Sequence, residues 1–131
     1  MTADKREKEL HMMCMQFLEA FNKNDIDLVM SFFTEDAVYE EFHGKKTEGK
    51  KAIRQSFEKL FSGEFGKVFF DEDDTFISSS DNKVMSSWTL HLKIDNAKKT
   101  MRGLDLLHFD GNLIKFKGTY AKATAALYQD Q

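Results

Sequence analysis

The chain has 131 residues, of which 41% are hydrophobic and 13% aromatic, and this composition favours one folded domain over residues 1–131 rather than a disordered chain. The formal net charge of -3 provides no attraction to nucleic acid or to an acidic membrane surface, so neither is expected as a partner. The single cysteine, Cys14, excludes an intrachain disulfide and is typical of a reducing cytoplasm. No signal-peptide pattern and no run of transmembrane length is visible, so a cytoplasmic location is predicted.

The first half of the chain has the spacing of amphipathic helices. Apolar residues recur every three or four positions from residue 4 to 23, which predicts a first helix. Asn24 or Asp25 can cap a second short helix, whose apolar face carries Ile26, Val29, Met30 and Phe33. A third helix is predicted over residues 50–61, after a polar loop bracketed by Gly44 and Gly49.

Strands dominate the rest of the chain. Residues 36–42 have strand character, and residues 68–79 predict one bent strand or a strand pair. Further alternating segments are residues 82–95, 98–109 and 112–125. The connectors are short, and the turn Asp110-Gly111-Asn112 is typical of a hairpin. Together these elements predict an α+β fold in which three helices pack on one face of a curved antiparallel sheet.

Asp105 is the first candidate for a functional residue. It interrupts an apolar strand, and a carboxylate is costly to bury unless it has a partner or holds a proton. Strand alternation gives two possible faces. One face carries Gly103, Asp105, Leu107 and Phe109, and the other carries Arg102, Leu104, Leu106 and His108. If the first face lines a pocket, Asp105 is a candidate acid. If the second does, Asp105 lies outside and pairs with a lysine.

Three motifs resemble the nuclear transport factor 2-like superfamily, and most closely its SnoaL-like polyketide cyclase and ketosteroid isomerase-like members. They are FLEAFNKNDIDLVMSFFTEDAVYEEFHG at residues 17–44, TEGKKAIRQSF at residues 47–57 and RGLDLLHFDGNLIKFKGTY at residues 102–120. The resemblance covers nearly the whole chain. It implies a cone-shaped, mixed or antiparallel curved sheet (a cystatin-like roll) against three N-terminal helices, with an apolar pocket between them.

The resemblance also implies catalytic positions. Glu41 falls where isomerase-like members place their base, and Asp105 falls where they place an acid inside the pocket. Phe17 stands where such members carry a tyrosine donor, so Tyr120, Tyr39, Trp88 or His43 would have to replace it. Epoxide hydrolase-like members place an aspartate before a tyrosine in the last strand, where this chain has Thr119, which argues against epoxide hydrolysis.

The remaining candidates follow from the residue types. His43 lies in a loop at the expected mouth of the pocket, where it could act as an acid or base or could be an ordinary surface histidine. Glu41 and Glu40 are adjacent, so one is expected to face solvent and the other the cavity. The residues predicted to line the pocket are Phe17, Phe33, Tyr39, Phe57, Trp88 and Tyr120. The four histidines lack metal-ligand spacing, so neither a metal nor a cofactor is predicted.

Three classes of function are consistent with the sequence. The chain is a cofactor-free isomerase, cyclase or dehydratase acting on a hydrophobic carbonyl compound, with Glu41 or His43 as base and Asp105 as acid. Alternatively, it binds a hydrophobic small molecule without chemistry, or it is a dimerisation module. In each case the leucines of the second face, Leu104 and Leu106, favour a homodimer through the outer face of the sheet.

Overall fold

The computed structural model describes residues 3–128 and 130. Its helices are α1 (Ala3–Asn22), α2 (Ile26–Met30) and α3 (Lys50–Phe61). Its strands are β1 (Phe33–Glu40), β2 (Lys46–Glu48), β3 (Phe69–Ser78), β4 (Lys83–Ile94), β5 (Ala97–Asp110) and β6 (Leu113–Ala121). No helix within residues 3–128 has both the length and the apolarity needed to cross a membrane.

The six strands form one mixed sheet in the order β2-β1-β6-β5-β4-β3. All neighbouring strands are antiparallel except β1 and β6, which run parallel. The predicted α+β class is therefore confirmed, with the mixed rather than the purely antiparallel form of the sheet. Residues 68–79, for which one or two strands were possible, form the single strand β3. The short strand β2 falls inside the segment predicted as a polar loop.

The helices pack on one face of the sheet and bury a core rich in phenylalanine. From α1, Leu10, Cys14, Phe17 and Phe21 point into this core at helical spacing. The rings of Phe17 and Phe33 meet edge to face with centroids 5.6 Å apart, a geometry that aromatic pairs prefer. Asp25, one of the two caps that the sequence left open, caps α2 by accepting a hydrogen bond from the Leu28 amide at 3.0 Å.

The face of β5 that carries Asp105 is the one turned toward the helices. Asp105, Leu107 and Phe109 are buried, whereas Leu104 and Leu106 are only partly buried on the outer face. The first of the two faces left open by the sequence is therefore the inner one. Asp105 is paired in the sheet with Ser86 of β4 and Thr119 of β6, so its side chain lies among the middle strands.

Strand β6 contains one extra residue, and this changes which of its side chains point inward. Phe109 is paired with Ile114, but the preceding residue of β5, His108, is paired with Phe116, so Lys115 has no partner in the ladder. Such a bulge reverses the alternation that follows it. Ile114 is buried before the bulge, and Lys117 and Thr119 are buried after it.

Candidate functional site

A cavity of about 390 Å³ lies between the helices and the inner face of the sheet. Its size is within the range of small-molecule sites. Most of its wall is apolar, contributed by Leu18, Phe21, Leu60, Phe65, Phe70, Leu90 and Met101. Polar and charged side chains enter this wall from the C-terminal end of β1 and the loop after it, from α3, and from β5 and β6. The cavity therefore combines an apolar interior with a few polar groups.

Six of the residues predicted for the site lie in this wall: Tyr39, Glu41, His43, Phe57, Trp88 and Asp105. Three do not, and these predictions need correction. Phe17 and Phe33 are packed in the core and do not reach the cavity surface; from α1, the lining side chains are Leu18 and Phe21. Tyr120 is 58% exposed on the opposite face of the sheet, because the bulge in β6 turns Thr119 inward and Tyr120 outward.

Asp105 is held by three hydrogen-bond donors. Its Oδ1 accepts hydrogen bonds from the ammonium of Lys117 at 3.1 Å and from the hydroxyl of Thr119 at 2.7 Å. Its Oδ2 accepts a hydrogen bond from the indole Nε1 of Trp88 at 3.1 Å. The residue is only 7% exposed. Since a buried carboxylate needs donors to offset the loss of water, these three contacts explain how Asp105 is tolerated in the sheet.

The contact between Trp88 and Asp105 depends on a glycine. Trp88 on β4 is paired with Gly103 on β5, so its indole extends across the glycine toward Asp105. A Cβ atom on Gly103 would lie 2.6 Å from the indole and 2.5 Å from the carbonyl oxygen of Tyr120. A side chain at residue 103 would therefore displace Trp88, and glycine is needed here for the close approach.

Lys117 is the main residue of the site that the sequence did not predict. Its ammonium donates to Asp105 and to the hydroxyl of Thr119 at 2.7 Å, and it lies 4.5 Å from the ring centroid of Tyr39. Burial alone would lower the pKa of Lys117, but attraction to Asp105, Tyr39 and Glu41 outweighs burial and raises the pKa of this lysine. Lys117 is therefore an ammonium ion in the cavity wall.

Tyr39 lies beside this cluster. Burial is the largest influence on its phenol and raises its pKa, while Lys117 acts in the opposite direction. The nearby hydroxyl of Thr119 also acts to lower this pKa. The phenol of Tyr39 consequently keeps its proton over a wider pH range than a free tyrosine. Tyr39, Thr119, Asp105 and Lys117 together form one connected polar cluster in an otherwise apolar wall.

Glu41 follows β1, whose alternation places Ala37, Tyr39 and Glu41 on the inner face and Glu40 outside. The side chain of Glu41 is 17% exposed, and its Oε2 is buried without a hydrogen-bond partner among the described residues. Its Oε1 lies 4.0 Å from Nε2 of His43. His43 is exposed and stacks on Phe42, so it stands where the cavity opens to solvent. Thus Glu41 presents an unpartnered acceptor to the cavity.

Two other histidines pair with acidic side chains away from the cavity. His91 contacts Asp71 at 2.8 Å, and His11 lies 3.9 Å from Glu72. Within residues 3–128 and 130, no three histidine, cysteine, aspartate or glutamate side chains come together in a way that could hold a metal ion.

Residues 15–116 match the family described as SnoaL-like domain. The chain belongs to this family. The predicted resemblance to SnoaL-like members of the nuclear transport factor 2-like superfamily is thus confirmed. No curated protein matches the sequence of this SnoaL-like chain.

Solved structures of the same fold include proteins from two bacteria. A candidate polyketide cyclase from Xanthomonas campestris pv. campestris is 15% identical, with a TM-score of 0.78 over 88% of this chain and 91% of that one. Rv0760c from Mycobacterium tuberculosis, solved with estradiol-17β-hemisuccinate, is 18% identical, with a TM-score of 0.73 over 86% and 92%. An epoxide hydrolase from M. tuberculosis that resembles limonene epoxide hydrolase (LEH-like) is 18% identical, with a TM-score of 0.76 over 88% and 84%. At these identities the comparison shows the fold of the SnoaL-like chain.

Proposed function

We propose that this protein binds an apolar small molecule carrying a carbonyl group and moves a proton at the carbon beside that carbonyl, without a cofactor. Glu41 is the base. The observation that carries the proposal is the buried, unpartnered Oε2 of Glu41 in the wall of an apolar cavity. A buried acceptor without a donor is costly, and a ligand that supplies a proton to it removes that cost.

The surroundings of Glu41 support this role. Its neighbour on the strand, Glu40, is exposed and faces away, so the two carboxylates have different environments. His43 stands next to Glu41 at the opening, where it can exchange a proton between the carboxyl group and solvent. For Asp105 we propose a positioning role in the polar cluster in place of the role of acid that the resemblance implies. Since all three of its contacts come from donors, it holds Lys117 and Trp88 in place rather than supplying a proton.

The size and lining of the cavity support the class of ligand. The volume of about 390 Å³ and the apolar wall fit a hydrophobic molecule with few polar groups. A protein of the same fold, Rv0760c, was solved with a steroid ester. Because a hemisuccinate carries a free carboxylate, a neutral steroid ketone such as progesterone is the better first probe of binding here.

Binding can be followed through Trp88, the only tryptophan in the chain and a residue of the cavity wall. Progesterone added to the wild-type protein is expected to change the fluorescence of Trp88 in a saturable way. The variant Leu60→Phe, which places a larger side chain in the cavity wall and adds no second tryptophan, should weaken this response. Fluorescence that does not change at any ligand concentration, together with an unchanged melting temperature, would count against the cavity as a binding site.

Proton removal can be tested before the natural substrate is known. The probe 5-nitrobenzisoxazole loses its C3 proton to a base. The electrons of the C–H bond form the nitrile, the N–O bond breaks, and the ring opens to one coloured product, 2-cyano-4-nitrophenolate. Glu41→Gln should reduce the catalysed rate about 100-fold or more. The matched control is Glu40→Gln, which removes the adjacent exposed carboxylate and should leave the rate unchanged. Equal rates for wild type and Glu41→Gln would instead favour the alternative function, binding of a hydrophobic molecule without chemistry.

We also propose that two copies pair through the outer face of the sheet. The ladder aligns Phe76 of β3, Met85 of β4 and Leu106 of β5 in one row. Phe76 and Met85 are exposed, and the row continues to Phe116, whose ring covers Gly118 beside Leu106. An apolar row across four strands is typical of a surface that another protein covers.

We propose a cytoplasmic location. The lone buried thiol of Cys14 suits it.

A further inference from the structure

We infer that Lys117 is the residue that receives the ligand's oxygen: its ammonium donates a hydrogen bond to the oxyanion that develops when Glu41 removes a proton. This inference rests on the proposed function and specifies its substrate class. The ligand is a neutral molecule whose carbonyl or aryl oxygen becomes negative in the reaction, not a carboxylic acid whose charge is already present. Lys117 then supplies the donor that the sequence left unassigned.

The hydrogen bonds of the polar cluster leave one donor of Lys117 available. An ammonium has three protons. One is donated to Asp105 and one to Thr119, whereas the nearest other groups are the rings of Tyr39 and Phe57, whose centroids lie 4.5 Å and 5.6 Å from the nitrogen. A ring face is a weak acceptor compared with an oxyanion. The third proton is therefore the one that a ligand oxygen in the cavity would attract.

Two other buried donors of the cavity wall are already used. The indole N–H of Trp88 is donated to Oδ2 of Asp105, and the hydroxyl of Thr119 is donated to Oδ1 of the same carboxylate. Among the buried side chains of the wall, Tyr39 is the remaining competitor, because its phenol keeps its proton and its ring lines the cavity. A fixed ammonium stabilises developing negative charge more strongly than a neutral hydroxyl does. We therefore assign Lys117 as the residue that donates a hydrogen bond to the oxyanion of the ligand.

The charges of the cavity favour a neutral ligand. Its wall has four ionisable side chains of fixed sign: Glu41, Asp105, Lys117 and Lys59. Lys59 is exposed, whereas the other three are buried or partly buried, so the less exposed part of the wall carries two negative charges and one positive charge. An anionic ligand in that part of the cavity would meet a net negative charge. A neutral carbonyl compound would not, and its oxygen gains charge only while the proton passes to Glu41, whose own charge is then neutralised. The total charge of the cavity and ligand stays constant during this step.

The test uses 4-nitrophenol, whose absorption spectrum distinguishes the phenol from the phenolate while it is bound. Its oxygen stands for the oxyanion, and it has no acidic C–H for Glu41 to remove. The decisive variant is Lys117→Met/Asp105→Asn, which removes the ammonium but keeps the net charge of the cavity unchanged, because one charge of each sign is lost. We expect the pKa of bound 4-nitrophenol to be higher in this variant than in the wild type by about one unit, a tenfold shift toward the phenol.

Two further variants make the result specific. Glu41→Gln removes a negative charge and should move the pKa of the bound phenol downward, opposite to the double variant. Tyr39→Phe should leave the pKa close to that of the wild type. The inference is overturned if the double variant shifts this pKa by less than about 0.3 unit, if Tyr39→Phe reproduces the upward shift instead, or if 4-nitrophenol does not bind the wild type.

The proposed function and this inference fail in different ways. Loss of turnover of 5-nitrobenzisoxazole in Glu41→Gln with an unchanged phenol pKa in the double variant would keep Glu41 as base and reject Lys117. The reverse pattern would keep Lys117 as an oxygen-binding group in a protein without catalysis. Far-UV circular dichroism of the double variant verifies that it folds, which is expected because both members of the ion pair are replaced together.

Discussion

At the level of single residues, Lys117 and Asp105 depend on each other. Both are buried, and within residues 3–128 neither lies within 4.0 Å of another opposite charge. A buried ion pair adds little net stability, but one that has lost a partner leaves an uncompensated charge behind. The ion pair therefore keeps two charged groups in the cavity wall and adds little to the stability of the fold.

Replacement of one partner should accordingly cost more than replacement of both. We expect Lys117→Met to lower the free energy of unfolding by about 3–5 kcal/mol, because Asp105 keeps its charge in an apolar setting. The variant Lys117→Met/Asp105→Asn should recover most of this loss. Urea denaturation of Lys117→Met, Asp105→Asn and the double variant measures the coupling free energy between the two side chains. Additive losses would show that the two charges do not interact.

Cys14 gives a prediction about alkaline pH. Burial raises the pKa of this thiol from 9.0 to about 11, although the neighbouring hydroxyl of Ser86 acts in the opposite direction. The folded state thus favours the protonated thiol, and the resulting stability is complete below pH 9 and is lost as the pH rises to about 11.

The size of that effect can be measured against Cys14→Ala, which has no thiol. The difference in free energy of unfolding between wild type and Cys14→Ala should decrease by roughly 2–3 kcal/mol from pH 9 to pH 11. Lys117 and Tyr39 titrate in the alkaline range in both proteins, so their contributions cancel in this difference. A difference that stays constant with pH would contradict a raised thiol pKa.

At the level of elements, local patterns predicted most of the fold. Helices α1 and α3 and the hairpin of β5 and β6 repeat a period over many residues, and Asp110-Gly111-Asn112 marks the turn between the strands. Strand β2 was missed because three polar residues have no measurable period; its place is set by pairing with β1. Tertiary contact, not local preference, determines such a strand.

The site was predicted in part, for reasons that particular residues make clear. Asp105 was found because a carboxylate in an apolar strand is conspicuous. Lys117 was missed and Tyr120 wrongly included because the bulge at Lys115 leaves no clear signal in the sequence. Phe17 and Phe33 were assigned to the pocket because core and cavity phenylalanines have the same periodicity.

Gly103 provides a test of how β4 and β5 position the cluster. Gly103→Ala places a methyl group against the indole of Trp88 and the carbonyl of Tyr120, so we expect a loss of about 1–3 kcal/mol in stability and an altered fluorescence spectrum of Trp88. The matched control is Gly118→Ala on β6, where the new methyl group meets only the partly buried ring of Phe116. If the two variants behave alike, the close approach at Gly103 is not what holds Trp88.

At the level of the whole molecule, we propose ligand binding for the inner face of the sheet and pairing for its outer face. The inner face closes the cavity with the helices, while the outer face carries the apolar row of Phe76, Met85 and Leu106. Phe76, Met85 and Leu106 do not line the cavity, so ligand binding and pairing should be separable. That the chain folds as one domain over its full length stays a prediction.

Sedimentation velocity can test the pairing. The wild type is expected to sediment as a dimer at micromolar concentration and Leu106→Lys as a monomer, because a charge in the centre of the apolar row would have to be desolvated in the interface. The control Gln55→Lys adds the same charge on the exposed side of α3 and should remain a dimer. A wild type that is monomeric at all concentrations would contradict the proposal.

The extra residue in β6 has a consequence for how relatives of this chain are compared. Two chains that differ only by the presence of that residue fold to the same sheet, yet they present opposite sets of side chains from the same strand to the ligand. A gapless alignment would then match a cavity lysine in one with a solvent-facing residue in the other. A single insertion or deletion can thereby exchange the chemistry of the wall while the backbone stays the same.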